Sequence, residues 1–218
     1  MLRSTATSVL SIKTDRRLDA PVIMDKRKYF DPKFNKTAVR VLPGDYYITN
    51  EDEMLVTVLG SCVTACIRDP KTGFGGMNHF MLPSSEDGKW GKTAAAMRYG
   101  NHAMETLINE LLKSGCAKNE LEIKVFGGGN VSSSKVKIGT QNGKFVLNYL
   151  QHEELDHEAA DLGGPYARRI HFFPATGIVQ RLLLRRKGDT ALLNDEAAYE
   201  KRIRSQPVQG EIELFEKD

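Results

Sequence analysis

Two short apolar runs lie on either side of a glycine–serine pair in the first third of the chain. Residues 54–59 (Met-Leu-Val-Thr-Val-Leu) and 63–67 (Val-Thr-Ala-Cys-Ile) are rich in apolar and β-branched side chains, a composition typical of buried strands. Gly60-Ser61 separates the two runs, and a third run at 77–82 contains His79. The pattern therefore predicts three strands, with Cys62 at a sharp bend between the first two.

Apolar side chains that recur every three or four residues mark two helices. In residues 93–114 they are Met97, Met104, Leu107, Ile108, Leu111 and Leu112. This spacing predicts an amphipathic helix, and Gly115 stands where a C-terminal capping glycine is expected. Residues 138–151 carry a similar stripe, formed by Ile138, Phe145, Val146, Tyr149 and Leu150, and predict a second helix.

Shorter runs predict the remaining strands. Residues 38–49 contain two strand segments around a Pro43-Gly44 turn, and residues 121–126 form a run of the buried type. Residues 168–173 and 177–184 flank a turn and predict a hairpin. This order of strands, helix, strand, helix and strands predicts an α+β fold, a single layered domain in which two helices pack on a strand-rich body.

The two ends of the chain differ from this body, which is expected at 38–187. Residues 1–40 contain ten Lys and Arg against four Asp and Glu, with little apolar periodicity. We therefore expect residues 1–37 to form a flexible basic N-terminal arm, either a solvated tail or a segment that contacts an acidic protein partner. Residues 188–218 are expected to add a short helix at 194–204 and an edge strand at 211–215.

Composition narrows the class of protein. The 218 residues are 40% hydrophobic and 27% charged, with a net charge of +3, which is ordinary for a globular protein with its own core. Three cysteines without a regular framework disfavour a secreted disulfide scaffold, so a cytoplasmic location is expected. The sequence has no apolar run of about 18 residues, no signal peptide and no nucleic-acid-binding motif. Neither membrane insertion nor a nucleic-acid partner is expected.

Cys62 and His79 are the candidate catalytic pair. A thiolate is a good nucleophile, and a neighbouring imidazole can accept the thiol proton. The backbone amides at Gly60 and Ser61 are candidate donors to an oxyanion that develops beside the cysteine. The ordinary alternative is a small buried cysteine and a packed histidine, neither of which has a chemical role.

Two other motifs argue against a cofactor. Gly127-Gly-Gly129 follows a predicted strand but lacks the spacing and the lysine of a phosphate-binding loop. We expect instead that these glycines let the backbone pass close to the Cys62 bend. The acidic run around His152 and His157 lacks the ligand spacing of metal sites, and the cysteines lack that of a zinc knuckle. No metal and no cofactor are therefore expected.

Several motifs together resemble one family. They are, in chain order, Thr57-Val-Leu-Gly-Ser-Cys-Val63, the Asp69-Pro70 turn, Gly75-Gly-Met-Asn-His-Phe-Met-Leu-Pro83, Arg98-Tyr99, Val125-Phe-Gly-Gly-Gly-Asn130, Asp161-Leu-Gly-Gly164 with Arg168, and Thr176-Gly177. This series, which spans about residues 40–187, resembles the CheD family of chemoreceptor glutamine deamidases. The resemblance implies a three-layer α/β/β fold and a cysteine-dependent protein-glutamine glutaminase.

The resemblance also implies a reaction and roles for residues. The reaction is hydrolysis of specific glutamine side chains to glutamate in methyl-accepting chemotaxis receptors, through a cysteine thioester and with release of ammonia. Cys62 is then the nucleophile, His79 the proton carrier and Thr57 the residue that orients His79. Family members can carry one more residue between the threonine and the cysteine, so Val56 is an alternative for that place, and Thr64 is a rival from the residues alone. A phosphatase of the CheC type regulates some members and is a second candidate partner.

Two other functions are compatible with the same residues. A receptor glutamate methylesterase would use the same thiol–imidazole pair. A non-catalytic binding or adaptor module of the chemoreceptor array would leave Cys62 inert, and that thiol would then react slowly with alkylating reagents.

Overall fold

The computed structural model describes residues 27–82, 94–131, 137–185, 198–199 and 201–202. The strands within these residues are β1 (Lys28–Asp31), β2 (Lys36–Arg40), β3 (Tyr46–Thr49), β4 (Met54–Leu59), β5 (Val63–Arg68), β6 (Gly75–Asn78), β7 (Glu122–Gly127), β8 (Ala159–Leu162), β9 (Ala167–Phe173) and β10 (Ile178–Leu184). The α-helices with assigned bounds are α1 (Ala94–Lys113) and α2 (Ile138–His152).

The described strands form two mixed sheets. Sheet 1 has the order β1-β2-β4-β9-β10, and sheet 2 has the order β3-β6-β5-β7-β8. The pairs β2–β4 and β7–β8 are parallel, and the other pairs are antiparallel. The parallel pairs arise because the chain leaves the sheet between the two strands, through β3 in the first case and through α2 in the second.

The helices cover one face of sheet 2. Helix α1 packs on β3, β5 and β6, and α2 packs on β5 and β7. The rings of Phe80 and Phe145 meet edge-on in this layer, with their centroids 6.0 Å apart. Sheet 1 contributes Leu55, Leu59 and Phe172 to the same buried core. The predicted α+β fold with α/β/β layers is therefore confirmed, and no helix in the described part of the chain is long and apolar enough to cross a membrane.

Most of the predicted elements occur where the pattern of the sequence places them. The strand at 54–59, the strand beginning at Val63, both helices and the β9–β10 hairpin are confirmed. The strand predicted at 77–82 is shifted, because β6 ends at Asn78 and only an isolated bridge pairs Phe80 with Val63. The backbone of His79 instead bonds to the segment after Pro43. Its N–H donates to the backbone carbonyl of Asp45 at 2.9 Å, and its carbonyl accepts the N–H of Gly44 at 2.7 Å.

Sheet 1 begins inside the stretch that is predicted to be an N-terminal arm. Strand β1 pairs with β2 in an antiparallel hairpin, and the Asp31 carboxylate accepts the N–H of Lys33 at 2.9 Å in the turn. This strand has no apolar periodicity and is held by backbone pairing and turn chemistry, which explains why the pattern misses it. Residues 1–26 lie outside the described residues, so the arm remains a prediction for that stretch.

The C-terminal segment is described only in part. Residues 198–199 and 201–202 are helical, within the helix predicted at 194–204. The edge strand predicted at 211–215 lies outside the described residues.

Arg168 is a buried charge that connects the two sheets. Its guanidinium group donates to the Asp161 carboxylate at 2.7 Å and to the carbonyl oxygens of Asp161 and Gly163. Arg168 lies on β9 of sheet 1 and Asp161 lies on β8 of sheet 2, so the cluster crosses the interface between the sheets. A cation is tolerated in such a place because these oxygens replace water.

Removing Arg168 should destabilise the fold more than removing a second arginine on the same carboxylate. Arg181 also binds Asp161, but its side chain is 42% exposed, against 2% for Arg168. Arg168→Ala should lower the free energy of unfolding by about 3 kcal/mol, because it leaves buried oxygens without a donor. Arg181→Ala should cost less than about 1 kcal/mol. Urea unfolding measures both values, and equal costs would contradict the role of Arg168.

Candidate active site

The bend that carries Cys62 is the point where the chain passes from one sheet to the other. Strand β4 belongs to sheet 1 and ends at Leu59, and β5 belongs to sheet 2 and begins at Val63. Gly60, Ser61 and Cys62 form the whole connection, and the Cys62 side chain is fully buried. The predicted sharp bend at Cys62 is confirmed, and it turns between layers.

The three carbonyl groups of this connection all accept hydrogen bonds. The N–H of Gly129 donates to the Gly60 carbonyl at 2.8 Å, and the N–H of Gly128 donates to the Cys62 carbonyl at 2.7 Å. The side-chain amide of Asn142 in α2 donates to the Ser61 carbonyl at 2.8 Å. The peptide groups of the bend are therefore fixed by the Gly-rich stretch after β7 and by α2.

Glycine is required where the Gly-rich stretch meets this bend. Gly127 has a φ of +116°, and a Cβ placed there would lie 2.2 Å from the Cys62 carbonyl oxygen. Any side chain would both strain the backbone and displace the bend. The expectation that these glycines allow a close backbone approach to Cys62 is confirmed.

His79 lies near Cys62 at one end of β5. The Val63–Phe80 bridge and the Cys66–Met77 pair fix the register between β5 and the segment after β6. Within that register His79 lies opposite Thr64, and Cys62 directly precedes the residue paired with Phe80, so the backbone brings the two residues to the same end of β5. The opposite face, which carries Phe80, packs on the helices, so the His79 ring lies on the face towards sheet 1, where it meets Thr57.

Thr57 meets His79 from across the interface between the sheets. Its hydroxyl oxygen lies 2.8 Å from His79 Nδ1, and the same hydroxyl donates to the Val41 carbonyl at 2.8 Å. A hydroxyl can donate only one hydrogen bond, and that of Thr57 goes to the Val41 carbonyl. The Thr57 oxygen must therefore accept the hydrogen bond from His79 Nδ1–H. This contact sets the orientation of the ring and leaves Nε2 as the nitrogen that can exchange a proton.

The two alternatives to Thr57 do not make this contact. Val56 points to the opposite face of sheet 1, where it packs with Ala38 and Met54. The Thr64 hydroxyl donates to the Asn78 carbonyl. Of the three candidates, Thr57 is the one that the fold brings to His79.

The three side chains are buried, and of two tyrosines near them Tyr199 is buried and Tyr99 is half-buried. Cys62, His79 and Thr57 are 0%, 1% and 2% exposed. Tyr99 of α1 and Tyr199 of the C-terminal segment share a hydrogen bond between their hydroxyl groups. Burial is the main cause that raises the pKa of both phenols, and charge on Cys62 raises both further, so the phenol groups lie within electrostatic range of the thiol.

A cavity of about 480 Å³ reaches the site from sheet 1. Thr57 and His79 form part of its wall, together with the basic side chains Arg40 and Arg169. Asp31 also lines the cavity, so its wall carries charges of both signs.

The thiols of the other two cysteines, Cys66 and Cys116, are poorly suited to act as nucleophiles. Cys66 is fully buried in β5, and burial raises the pKa of its thiol. Burial and the nearby carboxylates of Asp69 and Glu120 also raise the pKa of Cys116. Both thiols are therefore protonated at neutral pH. Among the described residues, no cluster of three His, Cys, Asp and Glu side chains could hold a metal ion.

Comparison with known proteins identifies the family. A family model described as CheD chemotactic sensory transduction matches residues 81–182. Over 190 residues the chain is 52% identical to "Probable chemoreceptor glutamine deamidase CheD" of Rhodopseudomonas palustris (strain BisA53), covering 87% of this chain and 89% of that protein. The chain belongs to the CheD family.

Other CheD relatives extend over nearly the whole chain. The protein of the same name in Saccharophagus degradans is 45% identical over 214 residues, which cover 94% of this chain and 98% of that protein. The one in Cupriavidus pinatubonensis is 50% identical over 187 residues, covering 84% and 86%. The resemblance to the CheD family that the motifs indicate is therefore confirmed.

Sequence reasoning misses Asn142 as part of the site. The residue lies three positions before Phe145 and four before Val146, so it falls on the apolar stripe of α2. A polar side chain in such a stripe needs a buried partner, and this was the signal that could have found it. The identity of the partner, the Ser61 carbonyl, depends on the tertiary structure.

The raised pKa values of Cys66 and Cys116 predict that both thiols resist alkylation. At pH 7.5 the folded protein should show no labelling of either cysteine by iodoacetamide during the time in which the urea-denatured protein is labelled completely. Peptide mapping by mass spectrometry measures each cysteine separately. Rates in the folded protein within about tenfold of the denatured rates would contradict the assignment.

Proposed function

We propose that the protein hydrolyses glutamine side-chain amides of methyl-accepting chemoreceptors to glutamate, with Cys62 as the nucleophile. The observation that carries the proposal is the Thr57–His79 contact of 2.8 Å beside the buried Cys62 bend. The names of the CheD relatives, which describe chemoreceptor glutamine deamidases, support the substrate class.

The chemistry proceeds in two halves through a thioester. His79 Nε2 takes the thiol proton of Cys62 as the sulfur attacks the amide carbon, and the proton then passes to the leaving nitrogen, which departs as ammonia. In the second half, His79 takes a proton from water, whose oxygen attacks the thioester carbon. The products are the glutamate carboxylate and the regenerated thiol.

Each half passes through a tetrahedral oxyanion that needs hydrogen-bond donors. The backbone amides of the bend at Gly60, Ser61 and Cys62 are the candidates, because they are adjacent to the nucleophile and their peptide groups are fixed. Donors that are already oriented need no rearrangement during the reaction, which is the main advantage of such a site.

Thr57 would act on the reaction through His79. It keeps Nδ1 protonated and directs Nε2 to the thiol. A hydroxyl stabilises an imidazolium less than a carboxylate does, so the turnover should be modest compared with that of triads that contain Asp.

The proposed substrate also suggests the location and the partners of the protein. The methylated helical bundle of a chemoreceptor lies in the cytoplasm, so the protein would act there. A phosphatase of the CheC type is a second proposed partner, as the family resemblance suggests. Arg40 and Arg169 in the wall of the cavity, which also carries Asp31, can pair with glutamate side chains of such a partner.

Cys62→Ala and His79→Asn should both abolish deamidation without unfolding the protein. Alanine removes the nucleophile, and asparagine keeps a hydrogen bond but cannot carry the proton. Mass spectrometry of a receptor fragment measures the gain of about one dalton for each converted amide. Cys66→Ala is the matched control and should retain most of the activity. Activity in Cys62→Ala would favour a different nucleophile, and a parent without activity would favour the adaptor or methylesterase alternative.

Thr57→Val should reduce kcat by roughly tenfold or more, because it removes the acceptor for His79 Nδ1–H while keeping the shape of the side chain. Thr57→Ser keeps the hydroxyl and should retain most of the activity. Thr64→Val is the matched control, since it also removes a buried hydroxyl of the same core. Steady-state kinetics with a receptor fragment distinguish the variants, and a greater loss in Thr64→Val than in Thr57→Val would assign the orienting role to Thr64.

A further inference from the structure

A tight turn at residues 42–45 lies beside the candidate catalytic residues. The Asp45 N–H donates to the Leu42 carbonyl at 2.9 Å, which closes a β-turn with Pro43 and Gly44 at its centre. The φ of +90° at Gly44 is typical of the third position of a type II turn, where glycine is favoured, and proline is common at the second. The sequence of turn 42–45 therefore suits its conformation.

Turn 42–45 holds the backbone of His79 and adjoins the partner of Thr57. The Gly44 N–H donates to the His79 carbonyl at 2.7 Å, and the Asp45 carbonyl accepts the His79 N–H at 2.9 Å. The carbonyl of Val41, which directly precedes the turn, accepts the hydroxyl proton of Thr57 at 2.8 Å. The position of the turn therefore affects both members of the Thr57–His79 contact.

The C-terminal segment packs on this turn. Tyr199 is 4% exposed, and a Cβ at Gly44 would lie 2.7 Å from its ring. The Tyr199 hydroxyl shares a hydrogen bond with that of Tyr99 in α1. Arg202 donates to the Pro43 carbonyl at 3.0 Å, and its guanidinium group lies 5.2 Å from the centre of the Tyr199 ring. The segment is therefore attached both to α1 and to the turn.

We propose that Tyr199 and Arg202 are positioning residues, which hold turn 42–45 and through it the Thr57–His79 contact. This inference rests on the proposed function. It extends the candidate site to the C-terminal segment, to which the sequence assigns no part in the chemistry.

The peptide group between Pro43 and Gly44 links Arg202 to His79. Its carbonyl accepts from Arg202, and its N–H donates to the His79 carbonyl. The described peptide bonds are all trans, so these two groups lie in one plane and point in opposite directions. One rigid group therefore joins the C-terminal segment to the backbone of His79, and hydrogen bonds at its two ends polarise and strengthen each other.

The Tyr199 ring supports the same peptide group by packing. Gly44 has no side chain, so the ring can approach the backbone of the turn closely. Without the ring, Gly44 loses this contact and Arg202 loses the surface over which its guanidinium group lies. The turn could then shift, and catalysis is sensitive to small displacements of the reacting groups.

Turn 42–45 also belongs to the wall of the cavity that reaches the site. Leu42 and Pro43 line this cavity together with Thr57 and His79. The turn therefore lies between the C-terminal segment on one side and the candidate catalytic groups on the other.

The first test measures deamidation of a receptor fragment by variants of the full-length protein. Tyr199→Ala should lower kcat by about tenfold and Arg202→Ala by about threefold, with little change in KM, because the reacting groups are misplaced. Tyr199→Phe keeps the ring and should lose less than Tyr199→Ala. Lys201→Ala removes an exposed side chain between the two residues and should match the parent.

A double-mutant cycle with Thr57→Val separates positioning from a general loss of stability. If Tyr199 acts through the Thr57–His79 contact, Tyr199→Ala should cost less than about threefold in kcat once Thr57→Val has removed that contact. A residue that only stabilises the fold should cost the same factor in both backgrounds.

The second readout is the pH dependence of Cys62 alkylation by iodoacetamide, which does not require deamidation. A well-placed imidazole lets the thiol lose its proton at lower pH. Tyr199→Ala should therefore raise the pH midpoint of alkylation by about half a unit or more. The midpoint is compared instead of the maximal rate, because easier access of the reagent to Cys62 would change only the rate.

Every outcome decides the proposal. Circular dichroism tests folding, and if Tyr199→Ala is unfolded, Arg202→Ala at its exposed position decides the same comparisons. A parent-like kcat, an unchanged midpoint, or equal losses with and without Thr57→Val overturns the proposal. An increase in kcat also overturns it and would mean that the segment covers the site. A parent without activity, or deamidation by Cys62→Ala, would instead refute the proposed function, and the alkylation midpoint would still measure the positioning of His79.

Discussion

The passage of the chain between the two sheets at Gly60, Ser61 and Cys62 is the constraint on which the rest of the structure depends. A three-residue connection between layers places three carbonyl groups in buried or partly buried surroundings, and each must find a donor. The Gly-rich stretch after β7 supplies two donors and α2 supplies the third. The close approach of that stretch and the buried asparagine of α2 both follow from this requirement.

A second constraint comes from the single proton of the Thr57 hydroxyl. Because that proton goes to the Val41 carbonyl, the hydroxyl oxygen can only accept at His79. Val41 follows β2, Thr57 lies on β4 and His79 follows β6, so three segments from two sheets decide which ring nitrogen carries a proton. The tautomer of His79 therefore depends on how the two sheets pack, and no local sequence motif determines it.

This dependence explains what the sequence could predict. The strands around the bend, the helices and the β9–β10 hairpin follow from local periodicity, and Cys62, His79 and Thr57 follow from the resemblance of their motifs. Strand β1 is missed because backbone pairing holds it without an apolar pattern. The assignment of β2 and β3 to different sheets, and the partner of Asn142, depend on contacts between residues far apart in the chain. Local patterns carry no information on such contacts.

The Gly-rich stretch illustrates how the same residues serve different purposes in different settings. In a phosphate-binding loop, successive backbone N–H groups converge on the anion. Here the N–H groups of Gly128, Gly129 and Asn130 donate to the carbonyls of Cys62, Gly60 and Gly164. These donors are already used, so the stretch cannot cradle an anion with them. Their donors instead hold the carbonyl groups of the Cys62 bend, so the stretch has a structural role beside the candidate site.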